Sequence, residues 1–301
     1  MSENNSTVNP DLGDQSTVKS AVQPTPGESI TSLATGNTYI IGEEIGEGAF
    51  GIVYSCRDVW ENELAVKVLK PHGSYERVRG SAESELKKLV ELRNPFITFV
   101  YDAFEFRDTF YIVTERCHFS IPAIFAIQKY NGITWIRPVA RCLLQAVHFI
   151  HLNNYVHQDI HLRNVFGAFI KGEMSNPTEK PLVFKLGDLG VAKLVSEVNG
   201  QNTRAQWMLP PEVLRPNEFG PTDKRIDIYH TSLLLLQIFS GKEIQLTQEE
   251  VLSGRPRQMA ESLPPPYNVA LSKGLRRHAS LRTETALELW RDLNLPTLRA
   301  L

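Results

Sequence analysis

The sequence predicts an α+β fold, on three observations. Short apolar, β-favouring runs crowd residues 38–114, with room for one helix among them. Longer stretches with helical apolar spacing dominate everything after residue 135. Strands and helices do not alternate: the glycine-rich turn at 46–51 runs straight on into another strand, with no crossover helix. The sheet is therefore expected to be antiparallel and the helices to segregate from it.

Element by element, residues 1–36 are rich in Ser, Thr, Asn, Gln and Pro and have no aromatic side chain. Such a segment buries too little apolar surface to offset its ordering entropy, so 1–36 is predicted to be a disordered tail. It lacks the basic and apolar regions of a secretory signal. One folded unit is expected over 37–301, divided into a sheet-rich part at about 37–115 and a helical part at about 118–301. Strands are predicted near 38–46, 51–57 and 63–69, a helix over 79–92 with apolar Leu86, Leu89 and Val90, then strands near 98–105 and 109–114. Trp135 to Leu152 has the spacing of an amphipathic helix. A short hairpin flanks the low-complexity patch Gly172–Pro181, and further helices are expected near 225–240, 247–254 and 284–292.

The chemistry-bearing residues lie at the joints between these elements. In His157-Gln158-Asp159-Ile160-His161-Leu162-Arg163-Asn164, Asp159 and Asn164 are five residues apart, which suits one tight loop. Asp188 sits between the apolar run Leu182–Leu186 and Gly190, a strand end entering a turn. Such a trio can orient a hydroxyl nucleophile with one carboxylate and hold Mg²⁺ with the amide and the other. Upstream, Gly46-Glu47-Gly48-Ala49-Phe50-Gly51 joins two strands, and glycines let backbone approach phosphate oxygens. Lys67 is a single cation within the apolar run Glu63–Leu69. Either it is an edge-strand lysine in solvent, or it reaches phosphate and needs a carboxylate partner. Glu85 on the following helix is expected to be that partner, in preference to Glu83 on another face.

Composition narrows the classes. The 32 basic and 34 acidic residues give a net charge of −2, so no bulk field draws the chain to nucleic acid or anionic lipid. The most apolar helix, Leu233 to Phe239, falls far short of the ~20 residues of a membrane span. Cys56, Cys117 and Cys142 are odd in number and form no C-x-x-C, which fits free thiols in a reducing, cytoplasmic or nuclear compartment. His148 and His151 have metal-compatible spacing, but Ala146–His151 reads as a packed helix and zinc is set aside. Nothing in the sequence sets an oligomeric state.

These blocks, in this order, resemble the eukaryotic-type protein kinase family over roughly 38–295. Thr114-Glu115-Arg116-Cys117 is similar to that family's gatekeeper and hinge, Leu209-Pro210-Pro211-Glu212 to its A-P-E element, and Asp227 to its buried αF aspartate. The resemblance implies a bilobal fold with an antiparallel-sheet N-lobe and a mostly helical C-lobe. It implies ATP and Mg²⁺ as cofactors and a protein as substrate. Asp159 would be the catalytic base, Asn164 and Asp188 the metal ligands, and Lys67, paired with Glu85, a phosphate ligand. Ile45, Gly46, Gly48, Gly51, Val53, Ala65, Thr114, Glu115 and Cys117 would form the rest of the nucleotide site. Leu89, Val100, His157 and Leu189 would stack as a hydrophobic spine on Asp227, and Glu212 would pair with Arg282.

The departures from the family pattern carry information too. Gln158 stands where the family has the Arg of H-R-D, which removes the usual partner of an activation-loop phosphate. Leu189 replaces the Phe of D-F-G. His161 replaces the Lys of serine/threonine kinases, Arg163-Asn164 and Trp207-Met208 are similar to tyrosine-kinase motifs, and Ala205 falls where a Thr is usual. Serine or threonine is preferred as the acceptor because it is the commoner specificity. Two other readings stay open: a small-molecule kinase of the aminoglycoside or choline type, whose H-x-D-x-H-x-x-N loop is also matched, and a pseudokinase scaffold.

Overall fold

A computed structural model describes residues 23–48, 51–70, 75–170, 181–198 and 208–295. The first part of the chain builds β1 (Ser29–Thr31), β2 (Thr38–Glu47), β3 (Gly51–Asp58), β4 (Glu63–Leu69), α1 (Tyr75–Glu91), β5 (Val100–Phe106) and β6 (Thr109–Glu115). The six strands form one antiparallel sheet in the order β1-β2-β3-β4-β6-β5. Alternation sets the faces: Tyr39 and Ile41 point into the core, while Ile40 between them is half exposed. Tyr39, Phe104 and Tyr111 stack as a column with centroid spacings of 5.8 and 5.4 Å. The Tyr39 hydroxyl donates to Asp102 at 3.0 Å, which satisfies the polar end of a buried ring.

The expected disordered tail is corrected here. Residues 29–31 pair with 38–40, Ile30 is fully buried in the sheet's core, and the Thr35 hydroxyl donates to Asp102 at 2.6 Å. One apolar side chain buried at a sheet edge contributes about 1.5–3 kcal/mol, and the ladder supplies backbone partners. A composition count across 36 residues averages that away. The remainder of the predicted tail, 1–22, lies outside the described residues, as do the patch 171–180, the segment 199–207 and the end 296–301.

The second part is mainly helical, with two small sheets. Its elements are β7 (Phe119–Ser120), α2 (Gly132–Leu152), β8 (Tyr155–Val156), β9 (Val165–Phe169), β10 (Leu182–Leu186), β11 (Lys193–Leu194), α3 (Pro211–Leu214), α4 (Pro216–Phe219), α5 (Arg225–Ser240), α6 (Gln248–Ser253), α7 (Arg255–Glu261), α8 (Tyr267–Gly274) and α9 (Ala286–Leu293). The two sheets are β10-β9-β7 and β11-β8. The predicted hairpin is β9–β10, with Leu186 opposite Val165. Every residue from Ile226 to Ile238 on α5 is buried, as expected of a helix apolar on all sides. α2 packs against α5, α9 and β10. It starts at Gly132, capped by the Asn131 side chain, and a Cβ there would stand 2.1 Å from the Phe239 carbonyl. Only glycine permits that approach between α2 and α5.

Helix boundaries differ modestly from the sequence expectation, and four short helices have no counterpart in it. α1 begins at Tyr75 rather than 79, and α2 at Gly132 rather than Trp135. They are α3, α4, α7 and α8. Gly254, at φ +85°, ends α6, and Pro256 lies in the first turn of α7.

Candidate active site

The loop after β8 is held by one buried carboxylate. Asp227, in the first turn of α5, accepts the backbone N–H of His157 and of Gln158, each at 2.8 Å, and the His151 ring at 2.9 Å. Burial alone would push its carboxyl up, but His151 and these donors outweigh burial and hold it below the usual carboxylate range. Gln158 sits at φ +69°, a conformation that costs energy outside glycine and that this double clamp over-determines. The His157 ring donates through Nε2 to the Gly187 carbonyl at 3.0 Å, tying the loop to the residue before Asp188.

Asp159, His161 and Asn164 converge. The Asn164 amide donates to the Asp159 carbonyl at 3.0 Å and to its carboxylate at 3.3 Å. His161 Nδ1 accepts the Arg163 N–H at 3.2 Å and caps a short 3-10 turn over 162–164, which places the ring's proton on Nε2, 3.6 Å from Asp159. Although burial pushes the Asp159 carboxyl up, His161, His157 and His230 draw it below its ordinary value. It is therefore a carboxylate at neutral pH. Asn164's N–H₂ is spent on Asp159, which leaves its carbonyl oxygen as the atom able to ligate a cation.

Lys67 lies on β4, between β3 and β6, so the edge-strand explanation fails. Its Nζ is 2.9 Å from Glu85 and 3.4 Å from Asp188. Burial pulls the ammonium down, but the two carboxylates outweigh it and raise it, so it stays charged. Glu83, the other candidate, pairs instead with Arg79 at 2.9 Å on the exposed face of α1. Asp188 stands at φ +57°, its carboxylate accepting the Gly190 N–H at 3.3 Å, and the Gly187 N–H donates to the backbone carbonyl of Asn164 at 2.8 Å. Asp188 and Asn164 thus bring hard oxygen donors from adjoining turns, a set that fits Mg²⁺.

The roof and hinge come from the sheet. Gly46 pairs with Val53, and Gly48 N–H bonds the Gly51 carbonyl at 2.9 Å; Ala49 and Phe50 lie outside the described residues. A Cβ on Gly51 would stand 2.6 Å from the Val68 carbonyl, so this corner requires glycine. Ala65 is buried and pairs with Thr114, while Ile45 is exposed beside the roof. Glu115 turns its carboxylate to Lys185 and to the Phe99 N–H, both at 2.7 Å, and its own N–H donates to the Phe99 carbonyl at 2.9 Å. Burial, helped by Glu115, pushes the Cys117 thiol up to about 12, so it remains neutral. Sequence reasoning missed Lys185; its signal was a lone lysine in the apolar run of β10.

The supporting framework also assembles. Arg282 and Glu212 form a bidentate pair with no solvent exposure, the first bond at 2.6 Å, and the guanidinium lies 4.6 Å over the Tyr229 ring. Val100 and Leu189 share one core with α2 and α5, and His157 is fully buried; the Leu89 side chain is outside the described residues. His151, weighed above as a metal ligand, is instead the third donor to Asp227.

Comparison with known proteins gives the same family. The chain matches the family described as protein kinase domain over residues 39–288. It is 28% identical over 222 residues to human cyclin-dependent kinase-like 5, covering 71% of this chain and 22% of that protein. It is 27% identical to the Xenopus laevis serine/threonine-protein kinase TAO2 over 66% of this chain and 18% of the relative. A probable serine/threonine-protein kinase zyg-1 of Caenorhabditis briggsae is 28% identical over 64% of this chain and 26% of the relative. The chain thus spans only about a fifth to a quarter of these relatives' length. Since the family match covers most of the chain and the bilobal fold agrees with it, this chain belongs to the eukaryotic-type protein kinase family, as a member with His-Gln-Asp and Asp-Leu-Gly in place of His-Arg-Asp and Asp-Phe-Gly.

Proposed function

We propose that this chain is an ATP- and Mg²⁺-dependent protein kinase that transfers the γ-phosphate to a protein hydroxyl, with serine or threonine preferred. The observation that carries this reading is the meeting of Lys67 with Glu85 and Asp188, beside Asp159 hydrogen-bonded to Asn164. Bound Mg²⁺-ATP supplies the transferable phosphoryl group and neutralises part of its charge. Lys67, kept cationic between two carboxylates, binds and orients phosphate oxygens. Asn164 through its carbonyl oxygen and Asp188 through its carboxylate hold the metal. Asp159, ionised at neutral pH, accepts a hydrogen bond from the acceptor hydroxyl and aligns it for in-line attack. The glycine corner at Gly46, Gly48 and Gly51 covers the phosphates, and Thr114, Glu115 and Cys117 form the hinge.

Two of the matched relatives are described as serine/threonine-protein kinases, which favours that acceptor. His161 stands where such enzymes carry a phosphate-facing lysine, with its Nε2 proton turned towards Asp159. The Glu212–Arg282 pair under the Pro-Pro-Glu segment supports a protein-binding platform over a small-molecule site. Retention of Lys67, Asp159, Asn164 and Asp188 supports catalysis over a scaffold role. A cytoplasmic or nuclear setting goes with the three free cysteines, and no described helix is long and apolar enough to cross a membrane.

Transfer of labelled phosphate from ATP, with and without Mg²⁺, to generic protein and to choline or an aminoglycoside is the test. Mass spectrometry of the products then assigns the acceptor. Phosphoserine or phosphothreonine is expected. Phosphotyrosine alone would overturn the acceptor, and transfer to the small molecules alone would overturn the protein substrate.

A further inference from the structure

An open cavity of about 560 Å³ lies between α6, α7 and the turn that follows α8. Its chemistry is basic: Arg257, Arg276, Arg277 and His278 line it together with Gln258, and Glu261 is the one carboxylate among the described lining residues. Arg257 is already paired with Glu261 at 2.8 Å. Arg276 and Arg277 hold carbonyl oxygens instead, of Leu281 at 2.8 Å and Leu252 at 3.0 Å. A carbonyl occupies a guanidinium N–H but leaves its charge uncompensated.

The main chain at both arginines is held in place, and the Arg277 side chain is exposed. The buried Arg282, locked by Glu212, donates to the carbonyls of Arg276 and Arg277 at 2.7 and 3.1 Å. The Arg277 guanidinium lies 5.5 Å from the Phe219 ring centre, and His278 meets the same ring edge-on. Gly254, at φ +85°, leaves room for the Arg277 stem, which lies 3.5 Å from where a Cβ would stand. Guanidinium forks with spare donors suit tetrahedral oxyanions.

We infer that this cavity is a docking site for a phosphorylated segment of a protein, with the phosphoryl group between Arg276 and Arg277. The volume is in the range of pockets that take an organic ligand rather than a lone ion. Gln258 and His278 add polar groups for the flanking peptide. The inference stands on this cavity alone and does not depend on the chemistry of the cleft.

Calorimetric titration of the full chain with three probes tests it: inorganic phosphate, an acetylated Gly-phosphoserine-Gly amide and the same peptide without phosphate. The phosphopeptide is expected to bind in a saturable way and more tightly than inorganic phosphate, with the plain peptide silent. Arg276→Gln or Arg277→Gln should lose about tenfold in affinity. Glu261→Gln, which removes the carboxylate and frees Arg257, should bind more tightly than the parent. That opposite sign cannot come from loss of folding. Absence of phosphopeptide binding, equal affinity for inorganic phosphate, or affinities unmoved in the Arg and Glu variants would each overturn the inference.

Discussion

Lys67 on β4 and Glu85 on α1 meet at 2.9 Å, with less than a fifth of either side chain exposed. The pair fixes the helix against the sheet, and Asp188 completes it from the other part of the chain at 3.4 Å from the same ammonium. One cation serving two carboxylates makes the two ends of the cluster respond differently to substitution.

Lys67→Met should abolish phosphate positioning and also leave Glu85 and Asp188 without a cation, costing on the order of 3 kcal/mol of stability. Asp188→Asn should leave the Lys67–Glu85 pair intact and the fold nearly as stable, while lowering turnover by about a hundredfold or more. Urea melts alongside single-turnover transfer assays separate the two. Near-normal transfer by both variants would rule out the proposed roles.

Gln158 is buried, and its backbone is clamped to Asp227. No arginine stands at this position to answer a phosphate at Thr203 or Ser196, so phosphatase-treated protein should keep its activity. Thr203 lies outside the described residues, and Ser196 is exposed. Activity lost to phosphatase and restored by phosphorylation of Thr203 would contradict this expectation.

His230 is fully buried and donates to the Met208 carbonyl at 3.1 Å. Burial holds its pKa below the ordinary 6.5, against the opposing pull of Asp227, Asp159 and Glu212. With the folded value depressed, the unfolded chain takes up the proton first. The stability this residue contributes is complete above about pH 6.5 and is lost as pH falls towards the folded value, at up to about 1.4 kcal/mol per unit. Denaturation at pH 7, 6 and 5 should show a shallower loss for His230→Gln than for the parent. Identical slopes would show that other groups carry the dependence; Asp159 and Asp227, also depressed, act only below the ordinary carboxylate range.

Glu212 and Arg282 are without solvent exposure, so removing one charge strands the other. Glu212→Gln or Arg282→Met should each cost about 3–5 kcal/mol. The double variant should be less destabilised than the sum of the singles, and a chemical-denaturation cycle measures that coupling. Additive losses would mean that the pair acts only through its separate contacts with Tyr229 and the Arg276–Arg277 carbonyls.

The sequence alone determined the elements whose signal is local. Period-two and helical spacing located β2 to β6 and α5 within a few residues, because half-buried strands and a fully buried helix write their environment into residue order. Motif spacing named Lys67, Asp159, Asn164 and Asp188 as candidates, because a tight loop and a strand end hold side chains in register over short stretches of chain. Tertiary structure alone decided the long-range choices. It gave His151 to Asp227 and joined Lys185 to Glu115 across 70 residues. It also recruited β1 from a segment whose composition argued for disorder, because burying Ile30 needs a neighbour that only the folded sheet supplies. Contact partners far apart in sequence leave no periodic trace, since what pairs them is packing between elements, a property of the assembled fold.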